Sequence, residues 1–457
     1  MEYNDLREQY KNFYYHSYEI EEDDTKVKIS YHFEIEGLSN FEPTFTLPKA
    51  SNCRSVSNLK VFKEAAFSLG LVELISYWKI ACPPQTHIEC GYLDETQIAW
   101  WKKLYFNGLG EFFYINHIDT DIESFMSIDT SGKKITGDED NSDYHGNLIP
   151  VGGGKDSFVS LSILENMKEE NHAFVINKVM SAIHSANAAG YTNERLINPT
   201  RTLDSRMLEL NKQGFLNGHT PFSAMAAFAS VITAITYEKK YICLSNEASA
   251  NESTIEGSKV NHQYSKTFEF EEDFKFYMDT YISKEIHYFS LLRPLCELQI
   301  TCIFSSLKDY HSVFRSCNVG QKEEKWCGKC AKCLFVAIML SAFISDEEIQ
   351  AIFGRDILND QEMYSLFEQL TGISVNKPFE CVGTREEVNI AVNMCISRHI
   401  NENKECPYLY ERYKESSFYD YYKDKTLDLD MWNAQNLVPK TYQELIHKKI
   451  EGLKNDR

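Results

Sequence analysis

Apolar and polar residues alternate over residues 26–35 (KVKISYHFEI) and 41–47 (FEPTFTL), a period of two that predicts strands with one buried face. Around residues 61–80 and 96–108 the apolar positions change to helical spacing. Residues 136–147 (TGDEDNSDYHGN) have almost nothing to bury and predict a linker or surface loop. A short apolar strand at 148–151 then runs into three glycines and an amphipathic helix that reaches about residue 167. Apolar strands at 173–180 and 241–244 alternate with a helix over about 221–237, the rhythm of a parallel sheet covered by helices. From about residue 346 the pattern is mostly helical and ends in a charged tail over 446–457. The expected division is an α+β domain at 1–145, an α/β domain with a parallel sheet at 146–345, and a mostly helical region at 346–457, with no internal repeat.

Length and composition agree with that division. At about 150 residues per domain, 457 residues suggest about three domains, and 43% hydrophobic with 25% charged residues is ordinary for a globular chain. With 47 Lys and Arg against 67 Asp and Glu, the net charge is −20, and no Lys/Arg-dense stretch interrupts it. A nucleic-acid partner is therefore not expected, and any phosphate bound should be small. The first ten residues are polar, and the longest apolar run, at 334–344, is shorter than the ~20 residues of a membrane span, so a cytoplasmic protein without a membrane partner is expected. Thirteen cysteines in such a chain are buried thiols, metal ligands or reactive groups rather than a disulfide framework.

The first chemistry lies at Gly152-Gly153-Gly154-Lys155-Asp156-Ser157, between a predicted strand and a predicted helix. Glycines let the backbone approach an anion, and the helix start adds unpaired N–H groups and its positive dipole end. The spacing fits neither the usual nucleotide P-loop, which needs Ser or Thr after the lysine, nor the Rossmann fingerprint. A Gly-rich turn with an exposed Lys-Asp pair is the bland alternative. The hexapeptide resembles the pyrophosphate loop of the ATP pyrophosphatase superfamily, Ser-Gly-Gly-x-Asp-Ser, with Gly152 in place of the leading serine. That resemblance implies an adenine nucleotide alpha hydrolase-like fold for residues 146–345 and cleavage of ATP to AMP and diphosphate.

Cys317, Cys327, Cys330 and Cys333 form a second motif. Four closely spaced thiols ahead of a helix can close the tetrahedral shell of a structural zinc, whereas the iron–sulfur spacings fit less well. The intervening residues are rich in Lys and Glu, which disfavours four thiols merely packed as small hydrophobes. The pattern is also similar to the zinc site of 7-cyano-7-deazaguanine synthases, an adenylating family that passes ammonia to an activated carboxylate.

Seven ordered segments carry a resemblance across all three expected regions: 75–84 (ISYWKIACPP), 107–114 (NGLGEFFY), 150–157 (PVGGGKDS), 216–221 (LNGHTP), 244–251 (LSNEASAN), 326–333 (WCGKCAKC) and 377–383 (KPFECVG). Through them the chain resembles the bacterial UDP-N-acetyl-α-D-muramoyl-L-alanyl-L-glutamate epimerases. The resemblance implies inversion of the terminal L-glutamate of a nucleotide-linked peptide in peptidoglycan precursor synthesis, with ATP and Mg2+, through an acyl adenylate. On that reading Gly152, Gly153, Gly154 and Ser157 hold phosphates and Asp156 holds magnesium, while Lys155 is either a phosphate clamp or an exposed lysine. His219, just before a helix with Thr220 as expected cap and Pro221 as first residue, should stay neutral at the positive dipole end and accept a proton or contact phosphate; otherwise it is a turn histidine. Ser245, Asn246 and Glu247 follow a strand and should lie at the carboxyl edge of the sheet, with Asn246 orienting substrate and Glu247 binding magnesium or acting as base, unless the loop only caps the next helix. Glu380 and Cys381 are either partners in two-face proton exchange or a structural pair. Lys79, Lys377 and Arg293 are candidates for holding substrate anions, and Cys82 reads as core or turn.

Overall fold

A computed structural model describes residues 1–248, 264–317, 319–320, 323–375, 378 and 382–455. Its twelve strands are, in chain order, β1 (Asn12–Glu22), β2 (Lys26–Ile35), β3 (Ser39–Phe41), β4 (Thr44–Pro48), β5 (Gln85–Ile88), β6 (Ser127–Thr130), β7 (His145–Pro150), β8 (Asn171–Phe174), β9 (Leu196–Ile197), β10 (Thr200–Thr202), β11 (Lys239–Leu244) and β12 (His287–Ser290). They form two sheets. The first has the order β10-β4-β2-β1-β5-β6, with β3 also on β2; the second has the order β12-β11-β7-β8-β9.

In β2 the period-two pattern is fully expressed, with Val27, Ile29, Tyr31, Phe33 and Ile35 buried and their neighbours at the surface side. The expected strand at 41–47 is split. Phe41 ends β3 and pairs with Phe33, while β4 begins only after Pro43, which has no N–H for a ladder. β5 joins parallel to β1, and β6 parallel to β5, so the first sheet is mixed. Its helix Lys60–Trp78 is buried nearly all round, because the sheet covers one side and the helix Phe222–Thr236 packs on another.

The second sheet is parallel throughout. The strand expected at 173–180 is shorter than its apolar run. Asn177 takes a left-handed backbone (φ 61°), and Met180 already begins the helix Met180–Ala188. The expected linker at 136–147 ends in β7, and the part before it is pinned rather than loose. Arg54 holds Asp140 bidentately at 2.5 and 2.8 Å, and Tyr144 is buried. β10, distant in sequence, adds an antiparallel edge to β4, so the two sheets share chain as well as packing.

The C-terminal region is helical, as its pattern predicts. The expected charged tail, however, is part of the helix Lys440–Asn455, whose Tyr442, Ile446, Ile450 and Leu453 form an apolar stripe buried in the core around the second sheet. No described helix is long and apolar enough to cross a membrane.

Candidate functional site

β7, the first strand of the second sheet in chain order, is central to it. From it the chain builds outward through β8 and β9 on one side and later through β11 and β12 on the other. The crevice between β7 and β11 at their carboxyl ends is therefore the topological switch point, where open parallel sheets bind ligands. Gly152–Ser157 leaves β7 there and Ser245–Glu247 leaves β11 there, and Ser160 Oγ and Ser245 Oγ, 2.8 Å apart, join the two. His219 arrives at the same edge. Helix Phe222–Thr236 is ~22 Å long, β11 is ~20 Å long, and only two residues join them, so the helix must start where β11 ends.

The glycine loop leaves backbone donors open among the described residues. Gly153 has φ +87° with its Cα face against Ser181 and Ala182, a conformation and clearance that a side chain would not tolerate. Its carbonyl accepts from Arg315 N–H at 2.8 Å. Neither Gly153 nor Gly154 N–H has an acceptor among the described residues. Gly154 caps the helix Lys155–Ile163 without any side-chain cap. Ser157 turns its hydroxyl back onto the loop, accepting from Gly152 N–H at 3.0 Å.

Lys155 points inward. It is 2% exposed, ion-paired with Asp156 and, at 2.5 Å, with the equally buried Glu297. Burial alone would lower its pKa, but the charges of Asp156 and Glu297 raise it above the ordinary lysine range, so the ammonium stays charged. Glu297 is pushed up by burial, with Asp156 and Glu247 adding to the push against the pull of Lys155. A third carboxylate follows. Glu387 accepts from Glu297 N–H at 2.5 Å, is raised by burial, and also closes the capping box of helix Arg385–Asn401 with Thr384. Glu297 and Glu387 bear no motif spacing; the only trace in sequence is the Thr-x-x-Glu capping signature at 384–387.

Cys381, Glu380 and Lys377 lie outside the described residues. Gly383, two positions further on, stands against the carboxylate cluster, since a Cβ there would come 3.2 Å from Glu297 Cγ. Arg293 is fully buried. Its guanidinium pairs with Glu271 at 3.0 Å and donates to the carbonyls of Glu247 and Lys266 at 2.7 Å each, which fixes the chain leaving β11. Lys79 is buried too. Burial and Arg201 pull it down to about 8, and it donates to Asn217 Oδ1 and Gly218 O in the segment that carries His219. His219 is exposed. Pro221, not Thr220, is the N-cap of the following helix, because its own backbone is non-helical while its carbonyl accepts from Ala224 and Met225. Cys82 is buried with a left-handed backbone (φ 51°), and burial pushes its thiol up.

The four cysteines converge. The sulfurs of Cys317, Cys327, Cys330 and Cys333 all lie within 4.8 Å of one another, and the Cys327–Cys333 and Cys330–Cys333 separations are 3.7 and 3.5 Å. Tetrahedral zinc with ~2.3 Å bonds needs sulfurs ~3.8 Å apart, so the donor set fits such an ion. Gly320 and Cys327 N–H donate to Cys317 Sγ, Lys329 N–H donates to Cys327 Sγ, and Gly328 makes the turn between ligands with φ +67°. These amides would stabilise thiolates. A second group, Asp346, Cys395 and His399, also converges, but the Arg398 guanidinium lies within 3.6 Å of all three and supplies a cation of its own.

The chain matches two family models, the MurL N-terminal domain over residues 4–291 and the MurL C-terminal domain over residues 311–417. It is 32% identical over 375 residues to a UDP-N-acetyl-alpha-D-muramoyl-L-alanyl-L-glutamate epimerase of Xanthomonas oryzae pv. oryzae, covering 78% of this chain and 79% of that one. Proteins of the same name from a Micromonospora species and from Salinispora tropica are 32% and 30% identical, each over 79% of this chain and 80% and 79% of their own length. No solved structure matches it. Convergent motifs, two matched domains and relatives aligned over most of both lengths place this chain in the MurL family, as an isomerase of the epimerase type.

Proposed function

We propose that the protein inverts the terminal L-glutamate of UDP-N-acetylmuramoyl-L-alanyl-L-glutamate in an ATP- and Mg2+-dependent reaction, in the cytoplasm, through an acyl adenylate. An α-hydrogen beside a carboxylate resists removal because deprotonation would place a second negative charge next to the first. Transfer of AMP to the carboxylate oxygen expels diphosphate and removes that charge. The mixed anhydride can then delocalise the carbanion as an enolate after a base takes the α-proton. Reprotonation from the other face inverts the centre, and water releases the D-glutamyl product and AMP.

The observation that carries this reading is the switch-point crevice, where Gly152–Ser157 and Ser245–Glu247 meet. Orphan N–H groups of Gly153 and Gly154 suit phosphate, on a nucleotide-binding region of the ATP pyrophosphatase type assigned to residues 146–345, between the α+β part at 1–145 and the helical part at 346–457. Asp156, Glu247 and Glu297 gather negative charge around Lys155, which suits a magnesium ion held by Asp156 and the phosphates. Asn246, which donates to Ser290 at 3.2 Å, is the residue proposed to orient substrate. Glu247, His219 and Cys381 are the proposed proton-transfer groups, and Cys317, Cys327, Cys330 and Cys333 the proposed ligands of a structural zinc.

The test is incubation with ATP, Mg2+ and the L,L-precursor in heavy water. Deuterium at the glutamyl α-carbon with stoichiometric AMP is expected, and Glu247→Gln, His219→Asn or Cys381→Ser in the true base should slow exchange ~100-fold or more. AMP without exchange rejects the epimerisation. The cysteine cluster favours one second reading, adenylation followed by ammonia transfer, under which product would depend on ammonium and carry no deuterium.

A further inference from the structure

The three glycines of the loop do not have the same surroundings. A Cβ placed on Gly152 would meet no atom within 4 Å, whereas one placed on Gly154 would stand 2.8 Å from Ser316 Oγ. A hydroxyl from a segment distant in sequence thus sits over Gly154, the last residue before the helix. Its position is held from both sides. Arg315 N–H is bonded to Gly153 O at 2.8 Å, and Cys317 belongs to the four-thiol cluster, with its sulfur accepting from two backbone amides. Ser316 is half-buried, and its hydroxyl makes no hydrogen bond to any described residue. A hydroxyl held in place next to the Gly154 amide, with no partner for either among the described residues, is arranged to donate to an anion.

We propose that Ser316 is a phosphate-binding residue, whose hydroxyl donates to a phosphate oxygen of the nucleotide held on Gly152–Gly154. This rests on the ATP reading above. It gives the cysteine cluster a second consequence, since the cluster fixes the residue next to Ser316. Titration calorimetry of the full chain with Mg2+ and an ATP analogue carrying a methylene between its α and β phosphates tests it without turnover. Ser316→Ala should bind about tenfold more weakly or worse, with zinc content and melting temperature unchanged. Ser316→Thr and Ser316→Val, which share a shape and differ in the hydroxyl, settle the matter if the alanine variant is unstable: threonine should bind about tenfold more tightly than valine. Equal affinities for that pair, or Ser316→Ala within twofold of the parent, overturn the assignment while leaving the ATP reading intact. A parent chain that binds no nucleotide overturns both.

Discussion

Among single residues, Lys155 shows how far a side chain's role depends on its surroundings. In sequence it is one lysine in a glycine loop, equally suited to clamp phosphate or to face solvent. In the structure it is enclosed and shared between Asp156 and Glu297. Breaking a buried pair leaves a charge without compensation, which typically costs ~3–5 kcal/mol, whereas replacing both partners by apolar groups costs far less. Lys155→Met and Glu297→Gln should therefore each lower the urea unfolding free energy by about 3 kcal/mol or more, and Lys155→Met combined with Glu297→Leu by clearly less than their sum. Additive losses would show that the two charges are not paired in solution.

Two local elements carry predictions of their own. At the end of β1, burial would raise the Glu22 carboxyl, but Lys49 and the Ser55 and Ser57 donors outweigh it and pull it down to about 2. Its carboxylate is only 7% exposed and lies 2.6 Å from Lys49. Because the folded value lies below the ordinary one of 4.5, the stabilisation is present above pH 4.5 and is lost as pH falls toward 2. The shift corresponds to about 3 kcal/mol. Denaturant titrations of the parent and Glu22→Gln should differ by about that amount at pH 7, and the difference should shrink steadily below pH 4.5. The cysteine turn is the other element. The purified chain should hold about one zinc, and strong chelation or Cys330→Ser should release it and lower the melting temperature, read by a colorimetric metal assay beside a thermal scan.

At the scale of the whole molecule, distant segments are bound together through buried polar groups. Tyr442 of the last helix donates to Asn147 Oδ1 at 2.5 Å, Asn147 donates to Asn171, and Asn171 donates to Leu164 O and Tyr191, which links the C-terminal helix to β7 and β8 behind the crevice. Removing the Tyr442 hydroxyl leaves the buried Asn147 Oδ1 only the weak Cys243 S–H donor at 3.7 Å, at a cost of ~1–3 kcal/mol. Tyr442→Phe should lower the unfolding free energy by that amount in a single cooperative transition, and a separate early transition would show that the last helix is not part of the same unit. A hydrophobic core that includes Leu6 and Tyr288 joins the first sheet to helix Phe222–Thr236, and a second runs from Ile149 to Leu453.

Local pattern was enough for β2, for the helices around 61–80 and 96–108, for the parallel rhythm after residue 147, and for the two motifs, because each depends on spacing within one short stretch. It also contained the stripe 442, 446, 450, 453 that makes the terminal residues a docked helix, although their charge density pointed to a tail. Pro43 and Asn177 ended strands that apolar runs extended, since a missing N–H or a left-handed backbone overrides hydrophobicity. Only the tertiary structure decided which residues meet: Glu297 with Lys155 and with Glu387, Ser316 with Gly154, Lys79 with the His219 segment, and Arg293 with Glu271. Those encounters join residues as much as 162 positions apart in the case of Gly154 and Ser316, and periodicity records which face a residue presents, not which distant face it will touch.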